Sequence, residues 1–405
     1  MNCYPSYKPS GVKWLGEIPS HWEVKHLRNF LTLFSEKGYG NSQLLSVTRE
    51  KGVILRDKEN KEENHNFVPD DLSGYKHLEA GDFVINKMKS WQGSYGVSDY
   101  EGIVSPAYFT CKLHGVNPQF FSCAIRSKAY VGFFMQYSKG IRVDQWDLDP
   151  SSMKDIPFVL PSPDEQSAIA VYLDTATAKI DAAIAQQQKM IDLLNERKQI
   201  IINRAVTKGL NPNAKMKDSG VEWIGEVPED WEVRRLKHIA KLQSGDTISS
   251  DSFTETGYPV FGGNGFRGYT NRFTNDGDYV LIGRQGALCG NVNYAHGQFF
   301  ASEHAVVVYP YHKENLVWLG EVIRASNLNQ YSQSAAQPGL AVSLIQNICY
   351  PYPPKEERDE IALYIEKNIK VMEAGIKNYQ QQISLLQERK QIIINEVVTG
   401  KVKVR

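Results

Sequence analysis

The sequence predicts an α+β protein: two globular α/β domains joined by two long antiparallel coiled-coil helices, with internal pseudo-twofold symmetry. Two internal repeats carry that reading. Ser10 to Leu27 return as Ser219 to Leu236 with eleven identities in eighteen positions, at an offset of 209. Leu193 to Thr207 return as Leu385 to Thr399 at an offset of 192. Because the offsets differ by 17, each half holds an insert of its own length between two near-constant frames. The predicted domains are residues 1–157 (first globular domain), 158–209 (first long helix), 210–348 (second globular domain) and 349–405 (second long helix and tail).

Each frame begins with a box, Gly-Val-x-Trp-x-Gly-Glu-x-Pro-x-x-Trp, from Gly11 to Trp22 and again from Gly220 to Trp231. The first long helix starts well: Ser162 is a natural N-cap, Pro163 suits the first helical position, and Glu165 completes a capping box. The second start, Pro354-Lys355-Glu356-Glu357, keeps the acidic first turn but has no capping Ser. Ile180, Ile184, Gln187, Ile191, Leu194 and Ile201 fall at coiled-coil spacing, with one step of seven over Lys198; their counterparts are Met372, Ile376, Tyr379, Ile383, Leu386 and Ile393. Gly209 and Gly400 are the predicted stops. A helix from Pro163 to Thr207 spans on the order of 65 Å at ~1.5 Å per residue, too long for a small domain to cover, so it needs a partner. The other copy is the natural one.

The inserts, roughly residues 25–155 and 234–347, are rich in short β-type runs separated by Gly, Asn and Asp. Gly81 to Ile85 parallels Gly277 to Leu281, and Ser105 to Phe109 parallels Ser302 to Val306. The polar residues after the first of these strands differ: Asn86, Lys87, Lys89, Trp91 and Gln92 in one insert, Arg284 and Gln285 in the other. Arg and Lys suit guanine edges while Asn and Gln suit adenine, so these are candidate DNA-binding residues. To them are added Tyr137, Lys139, Arg142 and Gln145 in the first insert, and Asn264, Arg267, Tyr269, Asn271, Arg272 and Gln337 in the second. Glu196, Arg197, Lys198 and Gln199, repeated as Glu388, Arg389, Lys390 and Gln391, form a candidate partner-docking tract presented twice.

Composition limits the alternatives. The 46 basic and 46 acidic residues cancel, so a DNA-gripping role requires basic residues gathered on one face or phosphate contacts from partner subunits. Five scattered cysteines without a CxxC argue against zinc and a disulfide framework and are read as reduced and mostly buried. No apolar run suits a membrane helix and no leader precedes the first box, which gives a cytoplasmic expectation. Phe261-x-Gly263-x-Gly265 superficially matches a methyltransferase cofactor turn, but Phe266 to Asn271 reads as loop where a helix should open. No Asn-Pro-Pro-Tyr or Asp-Pro-Pro-Tyr tetrad and no phosphate-binding loop occurs. Ser302 and His304 read as structural strand residues. No catalytic and no metal site is expected.

Taken together, the repeated box, the Pro-rich start with Glu165-Gln166, and the Glu-Arg-Lys-Gln tract resemble the specificity subunit of type I restriction-modification enzymes. Asn86 to Gly93 and Ser105 to Tyr108 resemble one class of target recognition domain; Ile282 to Gly286 and Phe261 to Gly265 resemble another. The second helix start departs from the pattern, with Glu357-Arg358 in place of Glu-Gln. The resemblance implies a non-catalytic recognition and assembly subunit for double-stranded DNA. Each target recognition domain would read half of a bipartite site, and the helices would set the spacer. Two methyltransferase subunits would dock and use S-adenosylmethionine, and restriction subunits would use ATP and Mg; this chain would hold no cofactor. The competing readings are a protein-only coiled-coil adaptor and a DNA methyltransferase.

Overall fold

The structure, a computed structural model, describes residues 3–57, 68–140, 146–286, 288–332 and 339–404. It divides into two compact units: unit 1 is residues 1–187 with 381–405, and unit 2 is residues 188–380. The two long helices, Pro163–Lys208 and Lys355–Val398, each give one part to each unit. The predicted cap is present: Glu165 N–H donates to Ser162 Oγ at 3.4 Å, and Ser162 N–H to Glu165 Oε2 at 3.3 Å. Gly209 and Gly400 take φ of +71° and +74°, the left-handed turn that ends a helix. Among the described residues no helix is long and apolar enough to cross a membrane.

In unit 1 the strand Glu23–His26 pairs antiparallel with Pro157–Leu160, so the two ends of the first insert are joined at its base. Above it lies a four-stranded antiparallel sheet in the order Leu31–Phe34, Phe109–Leu113, Phe83–Ile85, Tyr95–Val97. Strand alternation sorts Phe83 and Ile85 to one face and Val84 to the other. The first face packs under the helices Pro118–Ile125 and Lys128–Tyr137 through Phe120, Phe121, Tyr130 and Phe134. Ile169, Leu173, Val397 and Val398 of the long helices join the same core. The second face meets small two-stranded ribbons, Leu45–Thr48 with Gly52–Leu55 and Lys76–Leu78 with Gly102–Val104.

Unit 2 repeats this plan. Glu232–Arg235 pairs with Cys349–Tyr352 at the base. The sheet runs Ala240–Ser244, Ala305–Pro310, Tyr279–Gly283, Val292–Ala295. Val280 and Ile282 face the helix Leu316–Ala325, and Leu281 faces away. On that second side the units diverge: unit 2 has a further four-stranded sheet, Gly265–Thr270, Tyr258–Gly262, Gln298–Ala301, Asn275–Asp276. The stretch Phe266 to Asn271, expected as loop, is therefore mostly the return strand of a hairpin. Its glycines hid it from a propensity reading, yet Gly265 at φ +90° is what lets the hairpin turn.

One corner is built in each unit. The box residue Trp22 is fully buried and its indole N–H donates to Glu165 Oε1 at 3.3 Å; Trp231 is likewise buried and donates to Glu357 Oε2 at 2.8 Å. A Cβ on Gly400 would collide with Pro19 and the Trp22 ring, and one on Gly209 would lie 3.0 Å from the Trp231 ring. The two repeats thus meet where box, helix start and helix stop converge. Losing either indole would cost about 3–5 kcal/mol.

Candidate nucleic-acid interface

In unit 1 the candidates follow the strand Phe83–Ile85 into a short 3-10 turn, Ser90–Gln92. Asn86 is buried and donates from its amide to the Tyr108 hydroxyl at 3.3 Å, so it shapes the site from below. Lys87 lies 2.9 Å from Asp147, and Lys139 stands opposite Asp147 in the ribbon Ser138–Lys139 with Asp147–Leu148. Trp91 meets Trp146 edge to face with ring centroids 5.6 Å apart, and its indole N–H is shielded without a partner. Lys89 is exposed, Gln92 is half-buried, and Tyr137 packs on Phe133 toward the core. The turn, Lys139 and Trp146 therefore form one group, while Tyr137 belongs to the scaffold. Arg142 and Gln145 lie outside the described residues.

In unit 2 the hairpin turn at Gly262 to Gly265 sits on the loop after Tyr279–Gly283: a Cβ on Gly263 would be 2.8 Å from the Gln285 carbonyl and 3.4 Å from that of His304. This close approach gathers Asn264, Arg284, Gln285 and His304. Asn264 Oδ1 accepts from the Asn291 amide at 2.9 Å, and Arg284 donates to Ser244 Oγ at 3.0 Å. Arg267 and Arg272 are exposed over the rings of Phe253 and Phe300, at 5.8 and 5.0 Å. Tyr269 and Asn271 are exposed, Tyr269 edge-on to Phe266 at 5.0 Å between centroids. Gln337 lies outside the described residues.

Arg284 Nε, Asn293 Nδ2, Ser302 Oγ, Glu303 Oε2 and His304 Nδ1 are all shielded from solvent without a hydrogen-bond partner. An orphan of this kind costs ~1–3 kcal/mol, so these five atoms mark a polar cluster that the protein's own hydrogen bonds leave incomplete. Sequence reasoning set Ser302 and His304 aside because a single polar residue beside a strand carries no signal of its surroundings. Only the fold brings them beside Arg284.

The docking tract divides by face. Lys198 reaches Glu373 at 2.8 Å in unit 2, and Lys390 reaches Asp181 at 2.7 Å in unit 1. Both lysines are half-buried and tie one helix to the other. Glu196, Arg197, Gln199, Glu388 and Arg389 are exposed, and Gln391 is half-buried. Sequence reasoning missed Leu193 and Ile200 with their copies Leu385 and Ile392, all exposed beside the charges. Their signal was available: each is an apolar residue one position off the seam.

No group of three or more His, Cys, Asp or Glu side chains among the described residues could hold a metal ion. All five cysteines are free; Cys3 is exposed, Cys123 and Cys349 are half-buried, and burial pushes the Cys111 thiol up to about 12, far from a reactive thiolate.

Residues 228–384 match the family model for the type I restriction modification DNA specificity domain. A 139-residue stretch is 45% identical to the EcoprrI specificity subunit of Escherichia coli, covering 33% of this chain and 35% of that subunit. Over 96% of both chains the sequence is 26% identical to a putative MjaX specificity subunit of Methanocaldococcus jannaschii. The fold is similar to that of a chain solved in a study of complex assembly and conformational transition of the type I restriction-modification system, with a TM-score of 0.69, 15% identity, and coverage of 95% of this chain and 99% of that one. With the doubled frame and the two inserts already described, these findings make the chain similar to type I restriction-modification specificity subunits over nearly its whole length, with their DNA specificity domain matched at residues 228–384.

Proposed function

We propose that the chain recognises a bipartite DNA site, with unit 1 reading one half through the Lys87 to Gln92 turn and unit 2 the other through Arg284 and its neighbours. The observation that carries this is the base of each insert. In both units the strand entering the insert pairs with the strand leaving it, so the reader is a closed module on a repeated frame. Its loops can differ while its attachment does not. The doubled set of exposed residues, Leu193, Glu196, Arg197 and Ile200 against Leu385, Glu388, Arg389 and Ile392, suits two copies of one partner, the methyltransferase subunit. The paired helices set the number of unread base pairs. Double-stranded DNA, two modification subunits and restriction subunits are the partners, with S-adenosylmethionine, ATP and Mg used by those subunits.

Exchange of the first insert, with the strands Glu23–His26 and Pro157–Leu160 kept, tests the proposal. Methylome sequencing of cells carrying the exchanged chain and its methyltransferase subunits should show one half-site replaced and the other intact. Both halves changing together would defeat the one-unit, one-half-site assignment.

A further inference from the structure

The turn Ser302 to His304 leads from the strand Gln298–Ala301 of one sheet in unit 2 into Ala305–Pro310 of the other. Its backbone is fixed: Ser302 N–H donates to the Phe261 carbonyl at 2.8 Å, Ala305 N–H to that of Ser302 at 2.9 Å, and Arg284 N–H to that of His304 at 2.9 Å. The last bond locks the turn to the loop that carries Arg284. Its side chains, by contrast, are incompletely used. His304 Nε2 lies 3.1 Å from Glu303 Oε1, while Glu303 Oε2, His304 Nδ1, Ser302 Oγ and Arg284 Nε have no hydrogen-bond partner.

We propose that Glu303 is a base-specifying residue of the second reader, its carboxylate accepting from the N4 amine of a cytosine next to the base that Arg284 contacts. This rests on the reading of unit 2 as a DNA-binding module. A carboxylate on such a surface is repelled by every phosphate, so it weakens nonspecific binding and helps only where it meets a donor. The donors offered by base edges in the major groove are the cytosine N4 and adenine N6 amines, and cytosine N4 is the usual partner of Glu. His304 is a positioning residue: its Nε2 lies 3.1 Å from Oε1 of a carboxylate whose side chain is 33% exposed, and so fixes which way that group faces. The corresponding turn of unit 1 reads Ser105-Pro106-Ala107, with no polar side chain at the two positions of Glu303 and His304. The two readers therefore differ in kind at this turn.

The test uses the full chain assembled with its methyltransferase subunits. Methylome sequencing first defines the wild-type site; Glu303→Ala and Glu303→Gln assemblies are then titrated against duplexes altered at each position of both halves. Glu303→Ala should lose roughly 5- to 150-fold discrimination at one position of the second half-site, with the first half-site unaffected. Glu303→Gln should move preference at that position toward adenine. Unchanged discrimination in both variants overturns the proposal, as does uniform loss over both halves, which would assign Glu303 to holding the turn. A wild-type assembly without sequence preference would sink the DNA-reading function itself, a separate and visible failure.

Discussion

Gln166 and Arg358 occupy the same place, 192 residues apart, in the first turn of the two long helices, and both are buried. Gln166 donates from its amide to the Pro161 carbonyl at 2.9 Å and accepts from Asn117 N–H at 2.8 Å, tying the helix start to the cap of Pro118–Ile125. Arg358 donates to the Pro353 carbonyl at 3.3 Å, the matching corner. It cannot accept, so the rest of its environment has changed. Glu314, the residue before the cap Asn315, lies 3.1 Å from Arg358 Nε at an angle poor for a hydrogen bond and also accepts from the Tyr352 hydroxyl at 2.7 Å. Tyr352 and Trp318 lie against the guanidinium at 4.1 and 5.2 Å. In unit 1 the residue before the cap is Val116. One corner is a neutral amide beside an apolar neighbour and the other a buried charge with its counter-charge. The departure from the Glu-Gln pattern is therefore a coordinated exchange of several residues.

The largest expected effect comes from breaking that set. Arg358→Gln leaves the buried Glu314 carboxylate without its counter-charge and should cost about 3–5 kcal/mol; Glu314→Val strands the arginine at a similar cost. Together the two changes rebuild the chemistry of unit 1, so the double variant should recover most of the loss. Calorimetric unfolding of the four proteins gives the coupling directly. A double variant as unstable as the sum of the singles would show that the two corners are not equivalent.

The neighbouring carboxylates sharpen the comparison. At Glu165 burial pushes the pKa up, but hydrogen bonds from His21, Ser162 and Trp22 outweigh it and hold the group below the usual range. At Glu357 burial dominates the single bond from Trp231, and the pKa is raised. A depressed folded pKa gives stability that is complete above the ordinary value of ~4.3 and lost as pH falls through the folded value; a raised one gives stability complete below ~4.3 and lost as pH rises through the folded value. Measured against Glu165→Gln, the wild-type protein should lose its advantage on acidification. Measured against Glu357→Gln, it should lose ground as pH rises from about 4. Parallel slopes in the two comparisons would contradict the assigned environments.

The frame was legible because repetition and periodicity report directly on packing. Of the predicted seam, Ile180, Ile191 and Met372 are buried and Gln187 and Tyr379 half-buried, as the 3.5-residue spacing requires. The readers were less legible. Arg284 drew attention by residue type, but Glu303 and His304 are notable only for bonds they lack, which exist once two sheets converge. Tyr137 illustrates the converse: an aromatic beside basic residues draws attention by type, while its half-buried ring packs on Phe133 at the edge of the core. Lys198 and Lys390 sit in an identical charged tract, and nothing local reveals that their partners, Glu373 and Asp181, are themselves a repeated pair at the same offset of 192.

Those two ion pairs give the smallest predicted difference between the units. Both lysines are half-buried and both acids exposed, so each pair should contribute only ~0.2–1 kcal/mol. Lys390 reaches both oxygens of Asp181 at 2.7 Å, whereas Lys198 reaches one oxygen of Glu373 at 2.8 Å. Aspartate also has one fewer rotatable bond to immobilise, so the Asp181 pair loses less entropy when it forms. Lys390→Ala should therefore be the more costly change at low salt. Each lysine stem also covers part of the seam, and that contribution is not screened. At ~1 M salt, where the Debye length falls to about 3 Å, the two variants should converge on the cost of the lost stems alone. Urea unfolding of both variants at low and high salt reads this difference, and a Lys390→Ala deficit that persists at high salt would mean that packing, not charge, distinguishes the two helix contacts.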